Sequence, residues 1–255
     1  MQKFFNTTGP CNPDDHYMLP PKDRLIGADL DRYLENHLYW VLHAPRQTGK
    51  TTFLRSWMKE INESGKGIAC YVSVERCQGM ESVEEAMPNL CESITESAKN
   101  NELTIPVLGS SHAGSMLTNM MHNWAEICAP KPLIVLFDEV DVLSGPAMVS
   151  FLRQLRDGFA GRGIGKFPTS IALVGMRDLR DYLAESKDGK PVNPGSPFNI
   201  KEDSTSISNF RKEDVKNLTG QHTECTGQVF TSEALDRLWY WSNGQPWITN
   251  AICKD

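Results

Sequence analysis

A chain of 255 residues, 40% hydrophobic and 23% charged, has the make-up of a folded protein, long enough for one α/β domain of about 200 residues and a small appendage. A formal net charge of −6 excludes a surface coated with cations for broad capture of nucleic acid or anionic membrane, and leaves open only a local basic face. Seven scattered cysteines without C-x-x-C spacing point to neither a disulfide framework nor a zinc site, and the absence of any apolar run near the ~20 residues that span a bilayer completes the expectation of a cytoplasmic, membrane-free protein.

Residues 1–24 are rich in turn formers, among them Asn6-Thr7-Thr8-Gly9-Pro10 and Pro20-Pro21, so the sequence predicts an irregular leader, with Tyr17, Met18 and Leu19 apolar enough to dock. Leu25 to His37 has roughly helical spacing of Leu25, Ile26, Leu30 and Leu34. The apolar run Leu38-Tyr39-Trp40-Val41-Leu42 then reads as the first strand. It is followed by Ala44-Pro45-Arg46-Gln47-Thr48-Gly49-Lys50-Thr51-Thr52 and by an amphipathic helix, about Lys50 to Asn62, ended by Gly65. A strand that turns tightly into a helix aims several unpaired amides at one spot, where the helix dipole favours negative charge. A polyphosphate suits that spot. Gly49 permits close backbone approach, Lys50 brings a point charge to the β- and γ-phosphates, and the Thr51 hydroxyl offers a ligand for Mg²⁺. The pattern G-x-x-x-x-G-K-[ST] is met except at its first position, where Ala44 stands.

Ile68 to Val74 reads as a buried second strand. Ser82 to Asn100 reads as a helix opened by a capping box at Ser82 and kinked or restarted at Pro88. Ser115 to Cys128 carries a core stripe of Met116, Met120, Trp124 and Ile127. Leu133 to Phe137 is a continuous apolar run that ends in Asp138-Glu139. A strand buried on both faces delivers such acids to the carboxyl edge of a parallel sheet, where ligands of open α/β sheets bind. There Asp138 would hold Mg²⁺, usually through water, and Glu139 would orient or deprotonate an attacking water.

Met148 to Phe159 is the next amphipathic helix and Ser170 to Val174 the fourth strand. Between 151 and 180, Arg153, Arg156, Arg162, Lys166, Arg177 and Arg180 outnumber Asp157 and Asp178, a basic stretch for phosphates, a neighbouring subunit or DNA. Residues 186–204 read as a surface loop and 205–209 as a short edge strand. Helices are expected at about Lys212 to Thr223, Ser232 to Ser242 with Thr231 as N-cap, and from Pro246 onward. The resulting division is a leader at 1–24, a core at 25–204 and a helical lid at 205–255.

With both motifs in place, the chain resembles an ATPase of the AAA+ and STAND-related P-loop group, the bacterial and archaeal AAA-like ATPases. The resemblance rests on the loop at 44–52, the strand ending in Asp138-Glu139, and Gly244-Gln245-Pro246 in the lid. It implies a three-layer α/β/α sandwich around a five-stranded parallel sheet, a helical lid, and ATP and Mg²⁺ as cofactors; in the group a further C-terminal domain often follows the lid, and this chain is expected to lack it. On that reading Lys50 and Glu139 are catalytic, and Thr51 and Asp138 hold the metal. Pro45, Arg46, Gln47, Thr48, Gly49, Lys50, Thr51 and Thr52 then contact nucleotide. The resemblance adds Pro246 and, at the sensor position where AAA+ proteins carry Asn or Thr, Arg177 beside Asp178. Two functions follow: hydrolysis that drives a conformational switch of the lid or a partner domain, or a nucleotide-dependent binding and assembly module in defence, signalling or DNA-associated work, with a protein partner, DNA or a second copy and little intrinsic turnover; kinase chemistry on a small substrate is a third option, against which Asp138-Glu139 argues. The absence of an N-K-x-D motif argues against guanine.

Overall fold

A computed structural model describes residues 3–109, 111–176 and 201–255, with side chains from 203 in the last stretch. Its elements in chain order are β1 (Leu25–Ile26), α1 (Leu30–Glu35), β2 (Tyr39–His43), α2 (Lys50–Ser64), β3 (Ile68–Ser73), α3 (Val83–Asn100), α4 (Ala113–Cys128), β4 (Leu133–Asp138), α5 (Gly145–Phe159), β5 (Ser170–Gly175), β6 (Lys201–Ile207), α6 (Lys212–Thr226), α7 (Ser232–Ser242) and α8 (Pro246–Lys254). Among the described residues the strands form one sheet in the order β1-β6-β2-β5-β4-β3. Strands β2, β5, β4 and β3 run parallel. The fold is the expected mixed α/β type with six strands rather than five, because β1 pairs antiparallel with the end of β6, Leu25 opposite Ile207.

By packing, the chain falls into two compact units that interleave in sequence: Met1–Gly27, Ala44–Ser56 and Ser206–Asp255 make one, Ala28–His43 and Trp57–Thr205 the other. In the second unit, β4 and β5 are buried along their whole length, as parallel strands covered on both faces must be. Their side chains meet those of α3, α4 and α5 in a core that includes Val72, Leu90, Trp124, Phe137, Phe151 and Leu155. Tyr33 stacks on Trp40 at 4.9 Å between ring centroids, and its hydroxyl donates to Asp203 on β6 at 2.9 Å. In the first unit, Phe5 and Tyr17 of the leader pack with Phe210, Val215, Leu218 and Leu238 of the C-terminal helices. Burying these apolar side chains contributes about 1.5–3 kcal/mol for each large one.

Several sequence expectations need correction. Leu25–His37 is not one helix: Gly27 takes φ +73, and Asp29 caps the shorter α1 by accepting from Arg32 N at 3.0 Å. Ser82 precedes α3 but makes no capping bond; its hydroxyl donates to Glu84 at 3.0 Å instead. Pro88 lies inside α3, so the helix does not restart there, although the proline brings no N–H to the Glu84 carbonyl. Ile127 is exposed rather than core, and Leu117 and Met121 complete the buried stripe of α4. Residues 201–204, expected as loop, belong to β6, which also lies between β1 and β2 rather than at the sheet edge. The remaining loop residues, 186–200, lie outside the described residues.

Candidate nucleotide site

The parallel register brings four strand ends to one edge in the sheet unit: Ser73 faces Asp138, Phe137 faces Leu173, and His43 faces Gly175. From that edge β2 runs on directly into the loop at 44–52, and β4 runs on into Glu139.

Asp138 is buried. Its carboxylate accepts from Tyr71 Oη at 3.2 Å and from Glu139 N at 3.0 Å, and its backbone oxygen accepts from Val74 N at 3.0 Å. Glu139 adopts a left-handed backbone, φ 60 and ψ 35, a conformation that costs a non-glycine residue about 1 kcal/mol or more. That twist turns its side chain across to β3, where Ser73 Oγ donates to Glu139 Oε2 at 2.9 Å. Burial pushes the Glu139 carboxyl above its ordinary value, the Ser73 hydroxyl opposes the shift, and the charges of Asp138, Glu75 and Asp141 add to it. A carboxylate so placed is a better base than one in open solvent.

In the other unit the loop is held through its carbonyl groups. Lys50 Nζ donates to Ala44 O at 2.6 Å and to Pro45 O at 2.9 Å, and Thr48 Oγ1 donates to Pro45 O at 2.9 Å. Arg24 Nη1 donates to Thr48 O at 2.8 Å, and Gln245 Nε2 donates to Gln47 O at 3.3 Å. Gln47 and Gly49 take positive φ, 61 and 94, and left-handed residues of this kind occur in the backbone nests that bind anions. Helix α2 then starts at Lys50, with Phe53 N bonded back to Gly49 O at 2.9 Å. A cationic nitrogen, a hydroxyl on Thr51 and a helix start match a polyphosphate in chemical type, and the buried carboxylate of Asp138 matches a divalent cation.

Pro45, Arg46 and Gln47 are exposed, Thr48 is buried, and Gly49, Lys50, Thr51 and Thr52 are half-buried. Thr52 Oγ1 accepts from Cys11 N of the leader at 3.0 Å. Pro246 opens α8, and the side chain of Gln245 just before it caps the helix at Ile248 N, 2.6 Å away. Arg177, with Asp178 and Arg180, lies outside the described residues. Of the basic stretch, Arg162 is committed to structure: it donates to His37 O and Phe159 O, both at 3.0 Å. Sequence reasoning passed over Arg24, Ser73 and Tyr71, and named Gln245 only as part of the Gly244-Gln245-Pro246 motif, not for its bond to the loop. Ser73 and Tyr71 follow once β3 is set in register with β4; a lone arginine in a turn-rich leader carries no comparable signal.

A family model described as AAA domain matches residues 34–183, which include both the loop and the acidic strand end. The chain belongs to the AAA domain family. This AAA+ protein shares its fold with solved archaeal structures at low sequence identity. The Walker-type ATPase of Pyrococcus abyssi superposes with a TM-score of 0.66 at 15% identity, over 96% of this chain and 69% of that one. Cdc6p from Pyrobaculum aerophilum gives 0.57 at 14%, over 88% and 56%. The Aeropyrum pernix ORC2 protein, solved in ADPNP–ADP complexes, gives 0.53 at 15%, over 88% and 57%. The AAA+ chain thus spans little more than half the length of the last two. No curated protein matches its sequence. Among the described residues no helix is long and apolar enough to cross a membrane.

Proposed function

We propose that this AAA+ domain binds ATP with Mg²⁺ and hydrolyses it, and that the reaction changes the state of the helices at 212–254. The observation that carries the reading is the loop at 44–52, whose carbonyls at 44, 45, 47 and 48 each accept a side-chain donor while Lys50 heads the following helix. In this reading Lys50 bears on the β- and γ-phosphates, Thr51 and Asp138 support Mg²⁺, and Glu139 orients and deprotonates the attacking water. Pro45, Arg46, Gln47, Thr48, Gly49 and Thr52 line the phosphates through their backbone, and Gly244-Gln245-Pro246 links the last helices to the loop through Gln47. A divalent cation, when bound, supplies charge neutralisation between the phosphates. Steady-state phosphate release from ATP, measured with and without Mg²⁺ and DNA, tests the proposal: Mg²⁺-dependent turnover is expected, and none under any condition refutes hydrolysis.

One observation favours the second reading, an assembly module of low intrinsic turnover. The Glu139 carboxylate is engaged by Ser73, and a base so held turns over slowly until a partner, whether protein, DNA or a second copy, releases it. Turnover that rises severalfold with such a partner would support it; fast turnover of the isolated chain would dismiss it.

A further inference from the structure

Arg24 is a buried charged side chain, 8% exposed, and its bonds run to backbone carbonyls. Its Nη1 donates to Thr48 O at 2.8 Å and to Ser208 O at 2.9 Å. Its guanidinium carbon lies 4.9 Å from the centre of the Phe210 ring, and its backbone oxygen accepts from Ser208 N at 2.9 Å. The Nη2 atom fills the space beside Gly49, where a Cβ would come within 2.7 Å of it. Burial brings this guanidinium down to about 10, against the favourable charge of Asp214, so it keeps its charge at neutral pH. A cation retained at that desolvation cost is held by what it bonds.

A trans peptide is planar, with C=O and the next N–H pointing to opposite sides. Arg24 holds Thr48 C=O toward itself, and the N–H of Gly49 is therefore turned to the opposite side. Gln245, on Gln47 O, does the same for the N–H of Thr48. Two successive amides of the loop are thus aimed by side chains that lie outside it, one from the leader and one from the start of α8. Because the nitrogen that holds Thr48 also holds Ser208, four residues before α6, the aim of the loop depends on where that segment sits.

We propose that Arg24 is a positioning residue for phosphate, which orients the Gly49 amide toward the β-phosphate of a nucleoside diphosphate or triphosphate and ties that orientation to the strand-to-helix connection at Ser208–Phe210. The inference rests on the phosphate-loop reading above. Lysine cannot replace the planar fork, since its single ammonium cannot fill the place of Nη2 while Nη1 bridges two carbonyls. In Arg24→Lys the affinity for ADP with Mg²⁺ should fall at least tenfold while that for AMP, which has no β-phosphate, stays within twofold, and the ligand-free protein should melt within a few degrees of wild type. Wild-type ADP affinity in this variant overturns the proposal, as does an equal loss for ADP and AMP, which marks a merely structural arginine. Should the variant fail to fold, the Arg24 Nε–H resonance of the wild-type protein decides: a shift on adding ADP with Mg²⁺ but not AMP supports the role, and no difference overturns it. Lys50→Ala run alongside separates the two ideas, because ADP binding unchanged in that variant refutes the phosphate loop itself.

Discussion

Replacing Glu139 with glutamine isolates the proposed base from the structure around it. The amide is isosteric with the carboxylate and retains an oxygen to accept from Ser73 Oγ, now 2.9 Å from Oε2. The left-handed backbone at φ 60 suits a glutamine as well as it suits Gln47, which takes φ 61. Stability should therefore move by no more than about 0.5 kcal/mol. Catalysis should not be spared. A positioned general base contributes roughly 10²- to 10⁴-fold, so turnover should drop at least tenfold and, at the lower figure of 100-fold, by about 2.7 kcal/mol of activation free energy. ATP affinity should hold, since the carboxylate acts on water in the transition state and not on ground-state phosphate. Phosphate release, calorimetric ATP titration and thermal melting on one preparation give all three quantities. Unchanged turnover would refute the role and move attention to Asp141, the next acid along the chain.

Lys50→Ala should abolish ATP binding in calorimetry without unfolding the protein, because the side chain bonds loop carbonyls and contributes little packing; wild-type affinity would sink the phosphate-loop reading. In the pH profile of kcat, the deprotonated form of Glu139 is the active one and its carboxyl titrates above the ordinary value, so activity should fail on acidification at a higher pH than an exposed glutamate would give. Ser73→Ala removes the hydrogen bond that favours the charged form and should move that acid limb further up; a downward move contradicts the assignment. Hydrogen exchange in residues 210–255 should slow on addition of ATP and Mg²⁺ more than in α5, and equal protection would mark the C-terminal helices as insensitive to nucleotide. Gly244→Ala should lower the melting temperature, with a cost above about 1 kcal/mol, because the residue takes φ +69 and its Cβ would fall 2.0 Å from Phe210 O.

Elements fixed by neighbours in sequence were legible. Helix α7 begins and ends where its pattern says, since Thr231 accepts from Ala234 N and Asn243 ends it in a left-handed turn. The position of the loop and of the acidic strand end was legible for the same reason: each is a short contiguous string at the end of an apolar run that forms a strand. Strand β6 was not, because Lys201 to Ser206 carries no apolar residue and draws its place from partners far away, including Tyr33 on Asp203. Pro88 did not restart the helix, whose buried face runs on past it from Ala86 and Met87 to Leu90 and Cys91. At the site the unread residues Arg24 and Ser73, and the unread bond of Gln245 to Gln47, all work through hydrogen bonds to segments distant in sequence. Composition and spacing do not encode which carbonyl a side chain will reach.

The unit that carries the phosphate loop is sewn from bonds between segments far apart in the chain: Cys11 to Thr52 across 41 positions, Arg24 to Ser208 across 184, Gln221 to Met18 across 203, and Trp247 to Thr7 across 240. Closure over such separations comes late, since the entropy of joining distant segments is lost before their contacts form. On the ribosome the leader and the loop emerge long before α6, α7 and α8 exist to meet them. The unit that carries the loop is therefore completed only after α8 is made.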